Sequence, residues 1–559
     1  MQILPKWTDG FNHYHYCPNK VYGFRQRKWK QLLLLSCTSV FLAAAVLLWV
    51  RLDYWRLPEW KLQTNASSMP IESLQTDTTM QHRVGPLVWQ NGSVPLDLGF
   101  AGFMPIQRSN TNASMFYWFF PAQQPLEDNP PLIIWLQGGP GSSSMIGLFY
   151  EMGPVRLNNK LELFTNINSW NLHYAMLFID NPVGTGYSYV GQNSSKVNQN
   201  LATTPLATTP INEELIDRAA QLGATHECSH GHKNSKPSDF TASETPQYSD
   251  GYACNQEAVS QDLITFLDGF YSMYPKMRKS KLYITGESYA GKYIPHFAIQ
   301  IDRVNAQRIQ SPSTLIPLKG IAIGNGLTDP VTQIKYHAPQ GLALGLVSRS
   351  QAEVIQRYAN AAVGFICRSE WKQSLEMRNL MFSFFQNSTG GINWYDVRKK
   401  DEQNDWSRME SFLQLETTKQ SLNVGSLAQF GKDQKAAESL TEDIMKSAAH
   451  VVAELLDKKY RVVLYQGQFD FRDGIMGSTD WIESMTWTGS KEFLMAPRTV
   501  WHMLTERLLD TLHVVGYVTQ YRHLARIELL AAGHLAPMDQ GYVVRQMIDT
   551  HLIKELDVL

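Results

Sequence analysis

From about residue 85 onward, short and nearly uninterrupted apolar runs alternate with stretches of helical periodicity. Such runs are typical of strands that are buried on both faces, and the intervening helices, such as residues 258–274, are the usual connections between parallel strands. The pattern predicts an α/β fold with a mostly parallel central sheet. Residues 330–445 carry few strand signals and are mostly helical in pattern, which predicts a cap inserted between sheet strands. The strand candidates are residues 132–137, 175–180, 282–285, 321–325, 461–467 and 526–533.

The longest apolar run lies before this globular region. Residues 31–50 carry no charge and are long enough to cross a bilayer as a helix. The preceding residues 1–30 hold six Lys or Arg residues against one acid, Asp9, a bias that keeps an N-terminal tail in the cytosol. We therefore expect a cytosolic tail (1–30), a transmembrane signal anchor (31–50), a polar stem (51–84) and a lumenal domain (85–559). A cleaved signal peptide is the alternative, and it also places the domain in the secretory pathway.

Five Asn-x-Ser/Thr sequons agree with a secretory route and are the expected glycosylation sites. They are Asn65, Asn91, Asn112, Asn193 and Asn387. Of the five cysteines, Cys228, Cys254 and Cys367 lie in the expected lumenal part, so at most one internal disulfide forms there.

Composition narrows the functional classes. The 559 residues are 43% hydrophobic and 18% charged, as in ordinary globular proteins. Fifty basic and 51 acidic residues give no overall field that would attract nucleic acid.

Residues 191–249 differ from the rest, because they are rich in Ser, Thr, Asn and Pro, and we expect a disordered low-complexity insertion. Its "HECSHGH" tract (226–232) has no second ligand cluster, so we predict no metal and no cofactor.

The stretch "KLYITGESYAGKY" (281–293) is the strongest candidate for catalytic chemistry. A strand pattern runs into Gly286, and Ala290 and Gly291 follow Ser288. Small residues on both sides of a serine suit a sharp strand-to-helix turn that exposes a nucleophile. A serine at such a place can equally be a plain turn residue, so the rest of the chain must supply its partners.

An activated serine needs a base and an acid that orients the base. In hydrolases with this kind of sheet, the chain order is Ser, Asp, His. Asp470 and His534 each follow an apolar strand in that order, and loops at such strand ends meet at one edge of the sheet. The competing candidates for the acid are Asp473, Asp480 and Asp539.

A second glycine-rich stretch supplies candidate oxyanion donors. "WLQGGPGSSS" (135–144) follows a strand, and its glycines allow bare backbone amides to approach a substrate oxygen. The amides of Gly139 and Tyr289 are the expected oxyanion hole. A phosphate-binding loop would need a lysine followed by Ser or Thr at a set spacing, which is absent here.

Five motifs together resemble the serine carboxypeptidase family, most closely its vitellogenic-like members. They are "WLQGGPGSSS", "GLFYEMGP", "DNPVGTGYSY", "ITGESYAGKY" and "GHLAPMDQ". The resemblance spans residues 85–559 without the insertion. It implies an α/β-hydrolase fold and removal of single residues from peptides with a free C-terminus. It assigns Ser288, Asp470 and His534 to a catalytic triad.

The resemblance also implies a substrate-binding group and an acidic pH preference. It places Gln137, Gly138, Glu151 and Glu287 around the terminal carboxylate of the substrate. Two carboxyl groups beside a third cannot all ionise cheaply, so we expect the two glutamates to share a proton and to bind best in acid, as in a lysosome.

Three positions depart from the family pattern. Gln137 stands where many members have asparagine, and Ser142 replaces a common cysteine. Gly391 aligns with another cysteine, which leaves Cys367 without an evident partner. Two alternative functions stay open on the sequence: an acyltransferase or esterase with the same triad, and a non-catalytic lumenal binding protein.

Overall fold

The computed structural model describes most of the globular region and none of the N-terminal segments. The described residues are 80–108, 111–191, 212–225, 245–400, 405–426, 428–431, 434–504 and 512–554. They belong to one compact unit, Ser67–Leu559. The predicted tail, signal anchor and nearly all of the stem lie outside the described residues. Within the described ranges, no helix is both long enough and apolar enough to cross a membrane.

Fifteen strands form in the described part of the chain. In chain order, β1 to β15 are Phe100–Ile106, Ala113–Phe120, Leu132–Leu136, Val155–Leu157, Leu163–Thr165, Ala175–Ile179, Tyr189–Val190, Tyr248–Ser249, Tyr252–Ala253, Leu282–Glu287, Leu318–Gly324, Arg461–Gly467, Arg498–Leu504, Leu512–Tyr521 and Leu524–Leu529.

Eleven strands build one sheet, in the order β1-β2-β6-β3-β10-β11-β12-β15-β14-β13, with β7 paired to β2. The six central strands, from β6 to β15, run parallel. Antiparallel pairs flank them on both sides. The predicted mostly parallel sheet is confirmed, and the six strand candidates are the six parallel strands.

Fifteen α-helices accompany the strands within the described ranges. In chain order, α1 to α15 are Glu213–Thr225, Gln256–Met273, Ala290–Gln307, Pro330–Gln333, His337–Ala343, Arg349–Cys367, Trp371–Thr389, Ser407–Gln414, Glu416–Ser421, Lys435–Ser439, Ala449–Asp457, Ile475–Ser484, Ser490–Met495, Ala536–Asp539 and Gly541–Met547. Shorter 3₁₀ or π segments are Gly147–Glu151, Trp170–Leu172, Pro275–Lys279, Pro312–Thr314, Ile334–Tyr336 and Ile548–Ile553.

The central sheet is buried on both faces, which explains its uninterrupted apolar strands. In β3, Leu132, Ile134 and Leu136 join the core cluster that includes α2, α3 and α11. Alternate residues of the same strand, Ile133 and Trp135, join the opposite cluster. Because successive strand residues point to opposite faces, each strand contributes to both clusters.

A third core cluster belongs to the helical insertion between β11 and β12. It includes side chains of α6 and α7, such as Ile355, Phe365 and Phe382. The predicted cap over residues 330–445 therefore coincides with a helical region that has apolar packing of its own. Phe471, just after β12, packs in the same cluster and joins the cap to the sheet.

The predicted disorder of residues 191–249 is wrong for two described stretches. Residues 213–225 form α1, and β8 pairs with β9. α1 buries Ile216, Ala219 and Gly223 against α6. A Cβ at Gly223 would lie 1.9 Å from the Asn360 carbonyl oxygen, so the two helices touch at their backbones. The polar composition of the whole stretch concealed this short apolar stripe; residues 192–211 and 226–244, with the "HECSHGH" tract, lie outside the described residues.

Candidate active site

Ser288 lies on the sharp turn that the sequence predicted. β10 ends at Glu287 and α3 begins at Ala290, so only two residues change the chain direction. Ser288 has φ +62°, in the left-handed region that residues other than glycine rarely adopt. Its amide donates to the Gly324 carbonyl (3.0 Å) and its own carbonyl accepts from the Leu327 amide (2.9 Å). These bonds to β11 and to the loop that follows it hold the strained residue in place.

The small residues around Ser288 are required by close contacts. A Cβ at Gly286 would lie 2.0 Å from the Leu136 carbonyl oxygen, and one at Gly291 would lie 2.6 Å from Thr328 Oγ1. Neither position can hold a larger side chain without movement of the neighbouring strand or loop.

Asp470 and His534 meet as the chain order predicted. His534 Nδ1 and Asp470 Oδ2 are 2.8 Å apart, and both residues are buried. Asp470 also accepts hydrogen bonds from Asn325 Nδ2 (2.9 Å) and from the Arg472 amide (2.8 Å). With these donors the carboxylate is fixed, and it sets the orientation of the imidazole.

The other imidazole nitrogen is available as a base. His534 Nε2 is buried and has no hydrogen-bond partner among the described residues. His534 and Ser288 line the same cavity. Two of the competing acids have other partners: Asp473 pairs with Arg378, and Asp539 pairs with Arg398 and Lys399.

The glycine-rich loop after β3 packs directly on the serine turn. A Cβ at Gly138 would lie 2.6 Å from both Ser288 Cβ and the Tyr289 amide nitrogen. Gly139 has φ +110°, which is accessible to glycine and costly for other residues. This close approach brings the two loops that carry the expected oxyanion amides together.

Glu151 and Glu287 form a buried carboxyl pair. Each is only 1% exposed. Burial raises the pKa of Glu151 to about 8. Burial raises the pKa of Glu287 well above its usual value, and the neighbouring Glu151 charge raises it further. The pair therefore retains protons at pH values where exposed carboxyls are fully ionised.

Gln137 fixes one member of this pair. Its Nε2 donates to Glu287 Oε1 (2.7 Å), while its Oε1 accepts from Trp135 Nε1 (2.8 Å). Among the described residues, both Glu151 oxygens and Glu287 Oε2 have no hydrogen-bond partner. Buried carboxyl oxygens without partners are costly, so they are suited to bind an incoming polar group.

These groups surround a cavity of about 220 Å³. It is lined by Gln137, Gly138, Gly139, Ser142, Ile146, Glu287, Ser288, Tyr395, Trp406, His534 and Leu535. Glu151, Tyr289 and Asp470 are buried next to this lining. All nine residues expected in the site therefore lie in or beside one cavity.

Five lining residues were not predicted: Ser142, Ile146 and Leu535 adjoin expected site residues in sequence, whereas two come from far along the chain. Tyr395 and Trp406 come from the cap; the Tyr395 ring lies 5.0 Å from that of His534, and Trp406 packs edge-on against Tyr150 at 4.7 Å. No motif marks them, because only the return of the cap over the sheet edge brings them to the cavity.

Comparison with known proteins identifies the family. The family model described as "Serine carboxypeptidase" matches residues 97–554.

The chain belongs to the serine carboxypeptidase family.

The relatives agree with this membership. The chain is 33% identical over 460 residues to "Probable serine carboxypeptidase CPVL" of Dictyostelium discoideum, covering 82% of this chain and 79% of the relative. It is 30% identical to "Venom serine carboxypeptidase" of Apis mellifera, covering 81% and 84% of the two chains. The predicted resemblance to vitellogenic-like members is confirmed, and the chain is a serine carboxypeptidase hydrolase.

A solved structure supports the fold. The prohormone-processing carboxypeptidase Kex1 of Saccharomyces cerevisiae superposes with a TM-score of 0.65 at 24% identity, covering 85% of this chain and 96% of that chain. With the mostly parallel sheet, this confirms the α/β-hydrolase fold.

The structure of this serine carboxypeptidase also describes two cysteines and three sequon asparagines. Cys254 is free, whereas Cys367 is disulfide-bonded, so the expectation that Cys367 has no partner is wrong. Three sequon asparagines, Asn91, Asn112 and Asn387, are exposed. Asn65 and Asn193 lie outside the described residues.

The buried carboxyl pair predicts how stability depends on pH. A carboxyl whose pKa rises from 4.5 to about 8 on folding stabilises the fold fully below pH 4.5, and this contribution is lost as pH rises through about 8. Glu151→Gln, which cannot ionise, should unfold near the wild-type temperature at pH 4.5 and above it at pH 8.5. Thermal unfolding at both pH values checks this, with exposed Glu353→Gln as the matched control. A Glu151→Gln curve that follows wild type at both pH values would contradict the buried-pair interpretation.

Proposed function

We propose that Ser288, His534 and Asp470 form the catalytic triad of a carboxypeptidase that acts through an acyl-enzyme. The observation that carries this proposal is the 2.8 Å Asp470–His534 contact, with the free Nε2 facing the cavity that Ser288 lines. His534 Nε2 takes the Ser288 hydroxyl proton while Oγ attacks the last peptide carbonyl of the substrate. His534 then gives this proton to the nitrogen of the departing terminal residue, and water hydrolyses the ester.

The amides of Gly139 and Tyr289 would stabilise the tetrahedral intermediate. Negative charge develops on the former carbonyl oxygen, and two amides already aimed at that point need no rearrangement during the reaction. The packing of Gly138 against Ser288 and the Tyr289 amide supports this assignment, because it places both loops beside the nucleophile.

The buried carboxyl pair would restrict cleavage to free C-termini. While the pair holds a proton, one carboxyl donates to the terminal carboxylate of the substrate, and Gln137 keeps Glu287 oriented. Once that proton is lost, the pair repels the substrate. The high pKa values therefore support better binding in acid than in alkali.

We also propose that this enzyme is a glycosylated protein of the secretory pathway, held by a signal anchor at residues 31–50 and acting in a lysosome or another acidic compartment. The uncharged run, the preceding basic residues and the exposed sequon asparagines support this proposal. The domain boundaries are those given above, with a tail (1–30), a stem (51–84) and a catalytic domain (85–559).

The nucleophile assignment predicts that Ser288→Ala removes peptidase turnover and labelling by a fluorophosphonate probe. Loss of a triad member typically costs about 10⁴- to 10⁶-fold in kcat. The exposed Ser272→Ala is the matched control and should keep wild-type turnover and labelling. Near-normal hydrolysis by a folded Ser288→Ala enzyme would exclude Ser288 as the nucleophile.

The carboxyl pair predicts the alkaline limb of the pH profile. kcat/KM should decline as pH rises toward and beyond about 8, since the pair then loses its proton. Glu151→Gln and Glu287→Gln cannot titrate at these positions, so their alkaline decline should flatten. Peptides with an amidated C-terminus carry no repelled charge and should show less pH dependence. If both variants keep the wild-type decline while Glu353→Gln also does, the pair does not set this limb.

The topology proposal predicts which part of the chain a protease reaches. In sealed microsomes, added protease should trim a tail of about 30 residues and spare the glycosylated domain. A product that begins after residue 50 would show cleavage of the signal, and an unglycosylated, fully digested chain would contradict the secretory route.

A further inference from the structure

The last part of the cap, residues 435–448, contacts both loops that carry the proposed oxyanion amides. We call it the returning segment, since it leads from the cap to α11 and β12. A Cβ at Gly141 would lie 3.4 Å from Ala437 Cβ, so α10 packs against the glycine-rich loop. Farther along, Asp443 reaches the side chain of Tyr289. One stretch of the insertion therefore supports both sides of the oxyanion hole.

The contact at Tyr289 is a buried hydrogen-bond network. The Tyr289 hydroxyl donates to Asp443 Oδ2 at 2.5 Å, and Gln256 Nε2 donates to the same oxygen at 2.7 Å. Gln256 Nε2 is also 3.2 Å from the Tyr289 hydroxyl. Tyr289 and Gln256 are 1% and 3% exposed, and Asp443 is 4% exposed. Hydrogen bonds to a buried carboxylate are stronger than neutral ones, so this network fixes the Tyr289 ring.

Two further contacts join the returning segment to the same region. Buried Lys292, in the first turn of α3, donates through Nζ to the Lys446 carbonyl. The Ala448 amide donates to the Thr328 carbonyl at 2.8 Å, and Thr328 lies against Gly291 of the serine turn. The segment is thus attached on both sides of the turn, and not only at Tyr289.

The serine turn needs such support, because its backbone is strained at Ser288. A non-glycine residue with positive φ persists only where the surrounding structure fixes it from several directions. Tyr289 follows directly, and rotation of its peptide would move the amide away from the oxyanion position. An anchored side chain limits that rotation.

We propose that Asp443 is a positioning residue for the oxyanion hole, which it holds through the Tyr289 hydroxyl and Gln256. The inference rests on the proposed function, since it takes the Tyr289 amide as an oxyanion donor. It gives the cap two roles: Tyr395 and Trp406 line the cavity, and the returning segment sets the geometry of the oxyanion hole. The effect should fall on the transition state, and therefore on kcat, because Asp443 is not part of the cavity lining.

The test measures kcat and KM with a free-acid peptide for Tyr289→Phe, Asp443→Ala and the double variant. Each single variant should lower kcat by about 10- to 100-fold with little change in KM, as small displacements of catalytic groups do. The double variant should lose no more than either single one, because both remove the same interaction. Asp443→Asn retains an acceptor oxygen and should recover part of the activity lost in Asp443→Ala.

The matched control is Tyr271→Phe. Tyr271 is buried on α2, the helix that carries Gln256, and its hydroxyl has no hydrogen-bond partner among the described residues. It should keep the wild-type kcat. Thermal unfolding of each variant shows whether a loss of activity reflects a loss of folding. If Asp443→Ala fails to fold, the nearly isosteric Tyr289→Phe variant still tests the proposal.

The outcomes separate this inference from the function on which it rests. Ser288→Ala, assayed alongside, should be inactive. If it is inactive while folded Tyr289→Phe keeps the wild-type kcat, the positioning role is overturned and the triad stands. If the losses appear in KM alone, or equally in Tyr271→Phe, the network is only structural. Turnover by Ser288→Ala would overturn the proposed function itself.

Discussion

The close crossing of β10 and the loop after β3 is the constraint on which the site depends. At Gly286 and Gly138 there is no space for a side chain, and this lack of space is what places the nucleophile against the glycine-rich loop. The strained backbone of Ser288 persists because hydrogen bonds to β11 and to the loop after it hold it on one side. On the other side, the returning segment contacts Tyr289, the next residue. The central parallel sheet therefore does more than fill a core, because its neighbouring strands β3 and β10 bring the glycine-rich loop and the Ser288 turn together.

Burial of charge is the second feature of the site. Glu151, Glu287 and Asp470 are all buried, yet their environments differ. Asp470 makes several hydrogen bonds, with Asn325, the Arg472 amide and His534, and these hold its side chain in one orientation. The two glutamates have few donors, and burial keeps protons on them. In our proposal, carboxyl groups thus have two roles in this site. Asp470 orients His534, and the glutamate pair donates a proton to the terminal carboxylate of the substrate.

The sequence was most informative where the local pattern and the tertiary structure impose the same requirement. The six parallel strands were predictable because burial on both faces demands continuous apolar runs. The positions of Asp470 and His534 at strand ends likewise anticipated their contact. The edge strand β13 and its neighbour β14 were missed, since their exposed positions break the apolar run. β2 was missed although it is almost fully buried, and its aromatic run "MFYWFF" was a usable signal. Tyr395, Trp406 and Asp443 could not be predicted, because their contacts depend on how the cap folds back over the sheet.

The most direct test of the central claim is digestion of a peptide ladder by the purified protein at acidic and neutral pH, followed by mass spectrometry. Each peptide is supplied as the free acid and as the C-terminal amide. The account predicts stepwise loss of single residues from the C-terminus, with the free acids cleaved faster in acid than at neutral pH and the amides showing a weaker pH dependence. Internal cleavage, trimming from the N-terminus, or equal rates for acids and amides at every pH would contradict it.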